Sequence, residues 1–283
     1  MTYKNLLVHL DDSKACRKRM ETAVAIAAAH NAHLAGLFCV GAFELPTWAE
    51  VPRDMIEEQR KLDEKRAAEV SAEFEEAAKR AGINYEVRHA NVADYAVPDT
   101  VALHARYSDM VILGQSDPDE VREGTRVLVE HVVMAAGRPV LAVPYIGPVK
   151  HHGAVQVGRR IMVAWDAGRE ATRAVNDAMP FLEAAEKVDV LAVNPSKSRG
   201  KHGDQPGADI ALHLARHGVK VEVQQLDVKD LEPGETLLSR LSDTGSDLLV
   251  MGAYGHSRMR ELILGGATRT VLEHMTVPVM MSH

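Results

Sequence analysis

Two tandem Rossmann-like domains related by internal duplication, each a doubly wound, mainly parallel five-stranded α/β sheet, are what this 283-residue sequence predicts. Three observations predict it. A set of apolar runs occurs twice in the same order, helical periodicity lies between the runs, and one run enters a glycine-punctuated loop that opens a helix near the C-terminus.

The first run, Asn5-Leu6-Leu7-Val8-His9-Leu10-Asp11, matches Arg160-Ile161-Met162-Val163-Ala164-Trp165-Asp166. Each is a short apolar stretch that ends in aspartate. Ala35-Gly36-Leu37-Phe38-Cys39-Val40 matches Val188-Asp189-Val190-Leu191-Ala192-Val193. Ser108-Asp109-Met110-Val111-Ile112-Leu113-Gly114 matches Ser246-Asp247-Leu248-Leu249-Val250-Met251-Gly252, and Arg138-Pro139-Val140-Leu141-Ala142-Val143 matches Val277-Pro278-Val279-Met280-Met281-Ser282. The offsets are 155, 153, 138 and 139, so one spacer in the first copy is longer by about fifteen residues. Near-continuous apolar strands suit a parallel sheet covered on both faces. Right-handed crossovers then bring the loops after the strand C-termini to one edge, where open α/β sheets bind ligands.

A helix from about Ser13 to His30 follows the first strand, with Cys16, Met20, Ala23, Val24 and Ala27 at helical spacing. Asp12-Ser13 reads as its N-cap. The second copy repeats the helix with Ala171, Ala174, Val175, Ala178, Leu182 and Ala185, and Pro180 is expected to kink or break it. The extra residues of copy one fall between Pro46 and Gly82. There the charge-rich segment 53–80 carries Leu62, Val70, Phe74 and Ala77 at helical intervals, as a solvated helix with one packed stripe or as a partner-binding helix. Residues 148–158 read as a linker between a first domain over 1–147 and a second over 159–283.

The net charge of −7 and the 4% aromatic content give no basic face with interleaved rings, so neither nucleic acid nor an anionic membrane is an expected partner. No apolar run approaches the length of a membrane span and the N-terminus has no signal-peptide layout, so a cytoplasmic location is expected. Cys16 and Cys39 form no C-x-x-C and read as small core residues.

The segment Leu248 to Gly255, nine residues, then Gly265-Gly266-Ala267-Thr268, delivers a buried strand into a glycine loop and on to a helix N-terminus. Glycine lets backbone N–H groups approach a ligand, and a helix start adds free donors and the positive end of its dipole. The pattern is neither G-x-x-x-x-G-K-[ST] nor G-x-G-x-x-G. Copy one departs from it: Gly114 is followed by Gln115-Ser116-Asp117-Pro118-Asp119-Glu120, whose acids would repel a phosphate, and no glycine pair precedes Val132-Val133-Met134.

With Asp166, Val193, Gly252-x-x-Gly255, Gly265-Gly266-x-Thr268 and Pro278-Val279 in register, the chain resembles the universal stress protein family in its tandem two-domain form, over essentially its whole length. The resemblance implies a cytoplasmic stress-response protein that binds ATP, with or without Mg²⁺, in the C-terminal domain as a regulator or sensor. Asp166 would hold the adenosine part and the Val193 backbone the adenine. Gly252, Gly255, the loop residues His256, Ser257 and Arg258, and then Gly265, Gly266, Ala267 and Thr268 would hold ribose and phosphates. Arg258, Arg260 and Arg269 would add positive charge or face solvent. Gly266 stands where ATP-binding relatives carry Ser or Thr, a lost hydrogen bond of about 0.5–1.5 kcal/mol. The family also implies pairing of last strands, here Val140–Val143 beside Val279–Met281 within one chain as an intramolecular pseudo-dimer, with further homodimerisation open.

Other constellations carry less. His213 and His217 sit at i, i+4 without an evident third metal ligand, and Asp11-Asp12 is a candidate for Mg²⁺ as well as for capping. No nucleophile elbow is present, and Tyr254 and His256 flank the loop as the available acid or base. Slow ATP hydrolysis or adenylyl transfer, and a nucleotide-free interaction module using the 53–80 helix, are the alternatives to a nucleotide-dependent regulator.

Overall fold

A computed structural model describes residues 2–41, 53–93, 96–120, 127–198, 205–255 and 266–283. The chain divides into two compact units, Tyr3–Arg138 and Pro139–His283 with Met1–Thr2.

The Tyr3–Arg138 unit contains β1 (Asn5–Leu10), α1 (Cys16–His30), β2 (His33–Gly41), α2 (Arg53–Ala81), β3 (Tyr85–Val92), α3 (Val97–Ala105), β4 (Met110–Gly114) and α4 (Leu128–Ala135). Its parallel strands run in the order β4-β1-β2-β3. Leu6, Leu7, Val8 and Leu10 of β1 are buried together with Met110 to Leu113 of β4, as expected of strands covered on both faces.

Helix α1 starts at Cys16, three residues later than the sequence suggests, and has no side-chain N-cap. Ser13 donates its backbone amide to Asp11 Oδ1 at 2.9 Å, so Asp11 closes a turn here and Asp12 is not the cap; Asp12 Oδ2 lies 3.7 Å from Arg66 Nη1. The long helix α2 is present, but its buried stripe is Ala67, Ser71, Phe74 and Ala78, with Leu62 45% exposed. The stripe is set by what it meets. Phe74 lies on Gly36 of β2, where a Cβ would come within 2.9 Å of its ring, and it makes an edge contact to Tyr85 with centroids 6.0 Å apart.

The second unit contains β5 (Val140–Val143), a hairpin of β6 (Lys150–His151) and β7 (Ala154–Val155), β8 (Arg160–Ala164), α5 (Arg169–Asp177), α6 (Met179–Ala184), β9 (Lys187–Val193), α7 (Ala208–Arg216), β10 (Val221–Leu226), α8 (Pro233–Thr244), β11 (Leu248–Gly252), α9 (Gly266–His274) and β12 (Val279–Ser282). The strand order is β10-β9-β8-β11-β12-β5. The first five strands are parallel, and β5 joins antiparallel with Met280 opposite Leu141. The pairing of Val140–Val143 with Val279–Met281 therefore lies inside this unit. The 148–158 segment is not featureless, since it forms the β6-β7 hairpin. Pro180 does break the predicted helix, which divides at Ala178 into α5 and α6.

The repeated Ser-Asp before the fourth strand of each copy has a structural use. Asp109 accepts the amides of Lys4 and Asn5 at 2.7 and 3.0 Å. Asp247 accepts those of Gly158, Arg159 and Arg160 at 3.0, 3.1 and 3.0 Å. Each carboxylate ties the start of its copy's first strand to the start of the fourth.

Candidate functional site

In the second unit the chain order reverses about β8: β9 and β10 lie on one side, β11 and β12 on the other. The loops leaving β8 and β11 diverge at this switch point, where an open parallel sheet forms a crevice. A cleft of about 410 Å³ opens there. It is lined by Ala164, Trp165 and Asp166 at the end of β8, Leu191 and Val193 of β9, Met251, Gly252, Tyr254 and Gly255 around the end of β11, and Gly266, Ala267 and Thr268 of α9.

Each lining group is held by a local device. Asp166 Oδ1 accepts the amide of Gly168 at 2.8 Å, the same turn that Asp11 makes with Ser13 in copy one. The strand-end aspartates are thus turn formers in both copies, and Asp166 is exposed at the cleft. Asn194, next to Val193, accepts the Val228 amide on its side chain at 2.8 Å and fixes the ends of β9 and β10. Gly234 lets α8 lie close on α9: a Cβ there would stand 2.8 Å from Thr270 Cβ and 3.1 Å from the Ala267 carbonyl. That contact sets the N-terminus of α9 at the cleft.

Among the described residues of this unit, three non-glycine residues take left-handed backbone at or shortly after the ends of main-sheet strands: Ala167 after β8 (φ 55°), Asn194 after β9 (φ 52°) and Tyr254 after β11 (φ 61°). A fourth, His152 (φ 50°), turns the β6-β7 hairpin. Each such residue costs of order 1 kcal/mol and persists only where its surroundings impose it. Tyr254 lines the cleft, and Ala167 and Asn194 each follow a lining residue, Asp166 and Val193.

The two glycines after β11 differ in purpose. A Cβ on Gly252 would fall 2.5 Å from the Ala171 amide nitrogen and 2.7 Å from the Glu170 carbonyl carbon, so Gly252 is required by the packing of α5 on β11. Among the described residues, a Cβ on Gly255 would meet the end of the Glu170 side chain, and one on Gly266 would meet nothing within 4 Å. Gly255 and Gly266 present open backbone; Gly252 does not.

Of the residues singled out in the sequence, Asp166, Val193, Gly252, Gly255, Gly266, Ala267 and Thr268 come together in this one cleft. His256, Ser257, Arg258, Arg260 and Gly265 lie outside the described residues. Arg269 belongs to the surface, paired with Glu273 at 2.8 Å. The sequence reading missed Trp165, Glu170 and Glu232 as cleft residues, and with them the fact that carboxylates stand beside the glycine loop. Glu232 also forms a capping box with Glu235 at the start of α8, an E-x-x-E spacing that was legible but points to a helix start rather than to a cleft.

In copy one the space beside the loop after the fourth strand is taken by a side chain, although a cleft of about 390 Å³ lies between the start of α1 and α2. Arg19, at the repeat position of Ala174, is 3% exposed. It donates to the His9 carbonyl at 2.7 Å and to Asp11 Oδ2 at 2.8 Å, and its guanidinium occupies the space a Cβ on Gly114 would need. Asp11 also accepts the Ser13 hydroxyl. Glu120 accepts the Lys14 amide at 3.2 Å, taking a donor that precedes α1, while Asp117 and Asp119 close a turn. The acids of this loop therefore serve the unit's own backbone.

Burial pushes the Asp11 carboxyl up, and Arg19, His9 and Ser13 more than reverse it, leaving the group well below the usual carboxylate range. Burial lowers His9 to about 4, with Arg19 adding to the shift and Asp11 opposing it. A pH prediction follows. Between the ordinary value of 6.5 and about 4, the unfolded chain binds a proton that native His9 refuses, so stability falls as the solution is acidified through this window. The slope is at most about 1.4 kcal/mol per pH unit for one such group. Urea unfolding at several pH values is expected to show this loss in the parent protein and a shallower one in His9→Gln; equal slopes would exclude it. The Asp11 contribution is lost only at lower pH, below the carboxylate's unfolded value of about 3.9.

Elsewhere, His213 and His217 stack with ring centroids 4.8 Å apart, and among the described residues no group of three or more His, Cys, Asp or Glu is placed to hold a metal ion. Cys16 is buried, and burial pushes the half-buried Cys39 up to about 12, which leaves its thiol protonated and unreactive at neutral pH. No helix among the described residues is long and apolar enough to cross a membrane.

The sequence profile of the universal stress protein family matches residues 158–283. A universal stress protein of Synechocystis sp. is 42% identical over 67 residues, 24% of this chain and 22% of that protein's length. Among solved structures, a universal stress protein from Archaeoglobus fulgidus superposes over 98% of this chain and 95% of its own, with a TM-score of 0.72 at 19% identity. A functionally unknown protein from Pseudomonas aeruginosa covers 99% of this chain and 92% of its own, with a TM-score of 0.57 at 15% identity. These structural likenesses carry the fold.

Proposed function

Through residues 158–283 the chain belongs to the universal stress protein family, and from that premise we propose that it binds an adenine nucleotide, ATP in the first instance, in the cleft of its second unit and acts as a cytoplasmic, nucleotide-dependent regulator. The observation that carries the reading is the convergence of Asp166, Val193, Gly255, Gly266, Ala267 and Thr268 on one cleft from four separate elements. The cleft is graded. One part is apolar, with Trp165, Leu191, Val193, Leu237 and Met251, and suits a planar base. The other has open backbone at Gly255 and Gly266 and the start of a nine-residue helix, and suits phosphate. Asp166 stands at the cleft with a carboxylate able to accept hydroxyl donors. Copy one, with Arg19 and Glu120 in the corresponding places, is read as structural.

The test is to denature freshly purified protein, chromatograph the supernatant for nucleotides, and titrate nucleotide-free protein with ATP by calorimetry. About one adenine nucleotide per chain, or saturable binding at that stoichiometry, is expected; empty protein with no heat of binding would retire the reading. ADP accumulating in the same samples would convert a binder into a slow hydrolase.

The open space at Gly266 gives a graded prediction. A Cβ there meets nothing within 4 Å among the described residues, and serine restores a hydroxyl at the helix start. Gly266→Ser is expected to tighten ATP about 2- to 10-fold, the effect of one added hydrogen bond. Unchanged or weaker affinity would place phosphate elsewhere.

A further inference from the structure

Glu170 occupies an unexpected place for a chain that binds polyphosphates. It lies in the first turn of α5, its side chain is 12% exposed, and it lines the cleft. Its Oε2 stands 2.9 Å from where a Cβ on Gly255 would be, so the carboxylate rests against the open backbone of the glycine loop. Among the described residues its nearest cation is Arg169 at 3.4 Å, a surface residue 85% exposed, and a pair of that kind offsets little of the carboxylate's charge.

Copy one has a counterpart with the roles exchanged. The repeat position of Glu170 is Ala15, which carries no charge. There the loop after the fourth strand supplies the carboxylate instead, and Glu120 reaches the Lys14 amide just before α1. In both copies an anion of the chain itself bridges the space between the first helix and the loop after the fourth strand. In copy one the bridge accompanies an Arg19 side chain that fills the space beside Gly114; in copy two the space beside the loop is part of an open cleft.

We propose that Glu170 is a resident anion of the glycine loop, which a ligand's phosphates must displace or neutralise, so that the cleft discriminates among adenine nucleotides by their charge. This rests on the nucleotide reading above. The physics is direct: two like charges at close range in a partly enclosed, low-dielectric cleft repel far more strongly than in water, and the penalty grows with each phosphate brought near. Free ATP is the disfavoured form. Adenosine, AMP and cation-bound ATP bring less uncompensated charge to Gly255.

The test uses the full chain as wild type, Glu170→Gln and Glu170→Asp, titrated by calorimetry with adenosine, AMP and ATP, each with and without Mg²⁺. Without Mg²⁺, Glu170→Gln is expected to raise the ratio of ATP affinity to adenosine affinity about tenfold, the scale of one removed like charge in such a site. Glu170→Asp, whose shorter side chain withdraws the carboxylate from Gly255, is expected to fall between. Mg²⁺ is expected to narrow the difference between wild type and Glu170→Gln. An unchanged ratio with binding intact overturns the inference and leaves the nucleotide site standing. A ratio that falls in Glu170→Gln, with Mg²⁺ present, also overturns it, since the carboxylate would then serve the ligand's cation. Binding of none of the three ligands to any variant removes the nucleotide reading itself.

Discussion

Arg19→Met is expected to destabilise the Tyr3–Arg138 unit by about 3–5 kcal/mol, the usual cost of leaving one partner of a buried ion pair without the other. Three features set the size. Arg19 is 3% exposed and donates both to Asp11 and to the His9 carbonyl. Asp11 would stay largely buried with only Ser13 to stabilise its charge. His9, 3.6 Å from Asp11, is held neutral at ordinary pH by its own burial and cannot replace the lost cation. The check is a cycle: urea unfolding of Arg19→Met, Asp11→Asn and the pair. The double variant is expected to recover much of the loss, because no orphaned charge remains. If the single and double variants are equally stable, the guanidinium matters as filling for the space beside Gly114 rather than as a charge.

Gly252→Ala is expected to cost about 3 kcal/mol, at the upper end for overpacking a well-filled contact. The added carbon would fall 2.5 Å from the Ala171 nitrogen and 2.7 Å from the Glu170 carbonyl carbon, both backbone, so no rotamer change relieves it. Helix α5 would have to withdraw from β11. Gly266→Ala, with nothing within 4 Å among the described residues, serves as the comparison and is expected to melt close to the parent. Equal melting temperatures for the two variants would mean that α5 gives way easily. The result bears on function too. A nucleotide-binding defect in any Gly252 variant reports the fold of the cleft, whereas Gly266 and Glu170 variants report the ligand.

What could be read in the sequence followed the range of the forces involved. Alternating apolar runs and helical stripes are local signals, so the repeat, the parallel sheet and the strand-end positions of Asp166, Val193 and Gly252 were legible. The phase of α2 was not: Leu62, Val70 and Ala77 fit a helical stripe as well as Ala67, Ser71 and Ala78 do, and only the meeting of Phe74 with Gly36 decides between them. The reason for Gly252 was hidden for a related cause. A glycine needed for ligand approach and one needed for helix packing look alike until the neighbouring helix is in place. Nothing in the sequence sets Arg19 apart from the other charges of α1, although it fills the space beside Gly114 and pairs with Asp11. Glu232 stands 62 residues from Glu170, and no spacing rule joins them; both reach the cleft because α5 and α8 begin at the same edge of the sheet.

The strand β5 carries a consequence for inheritance. By sequence it ends the first repeat, yet it packs in the second unit, antiparallel to β12. The sequence repeat and the compact unit therefore do not share a boundary. A recombination event that exchanged one repeat for another at residue 147 or 148 would carry Val140–Val143 away from Val279–Ser282 and expose a row of unpaired amides and carbonyls. The repeats are thereby bound to travel together.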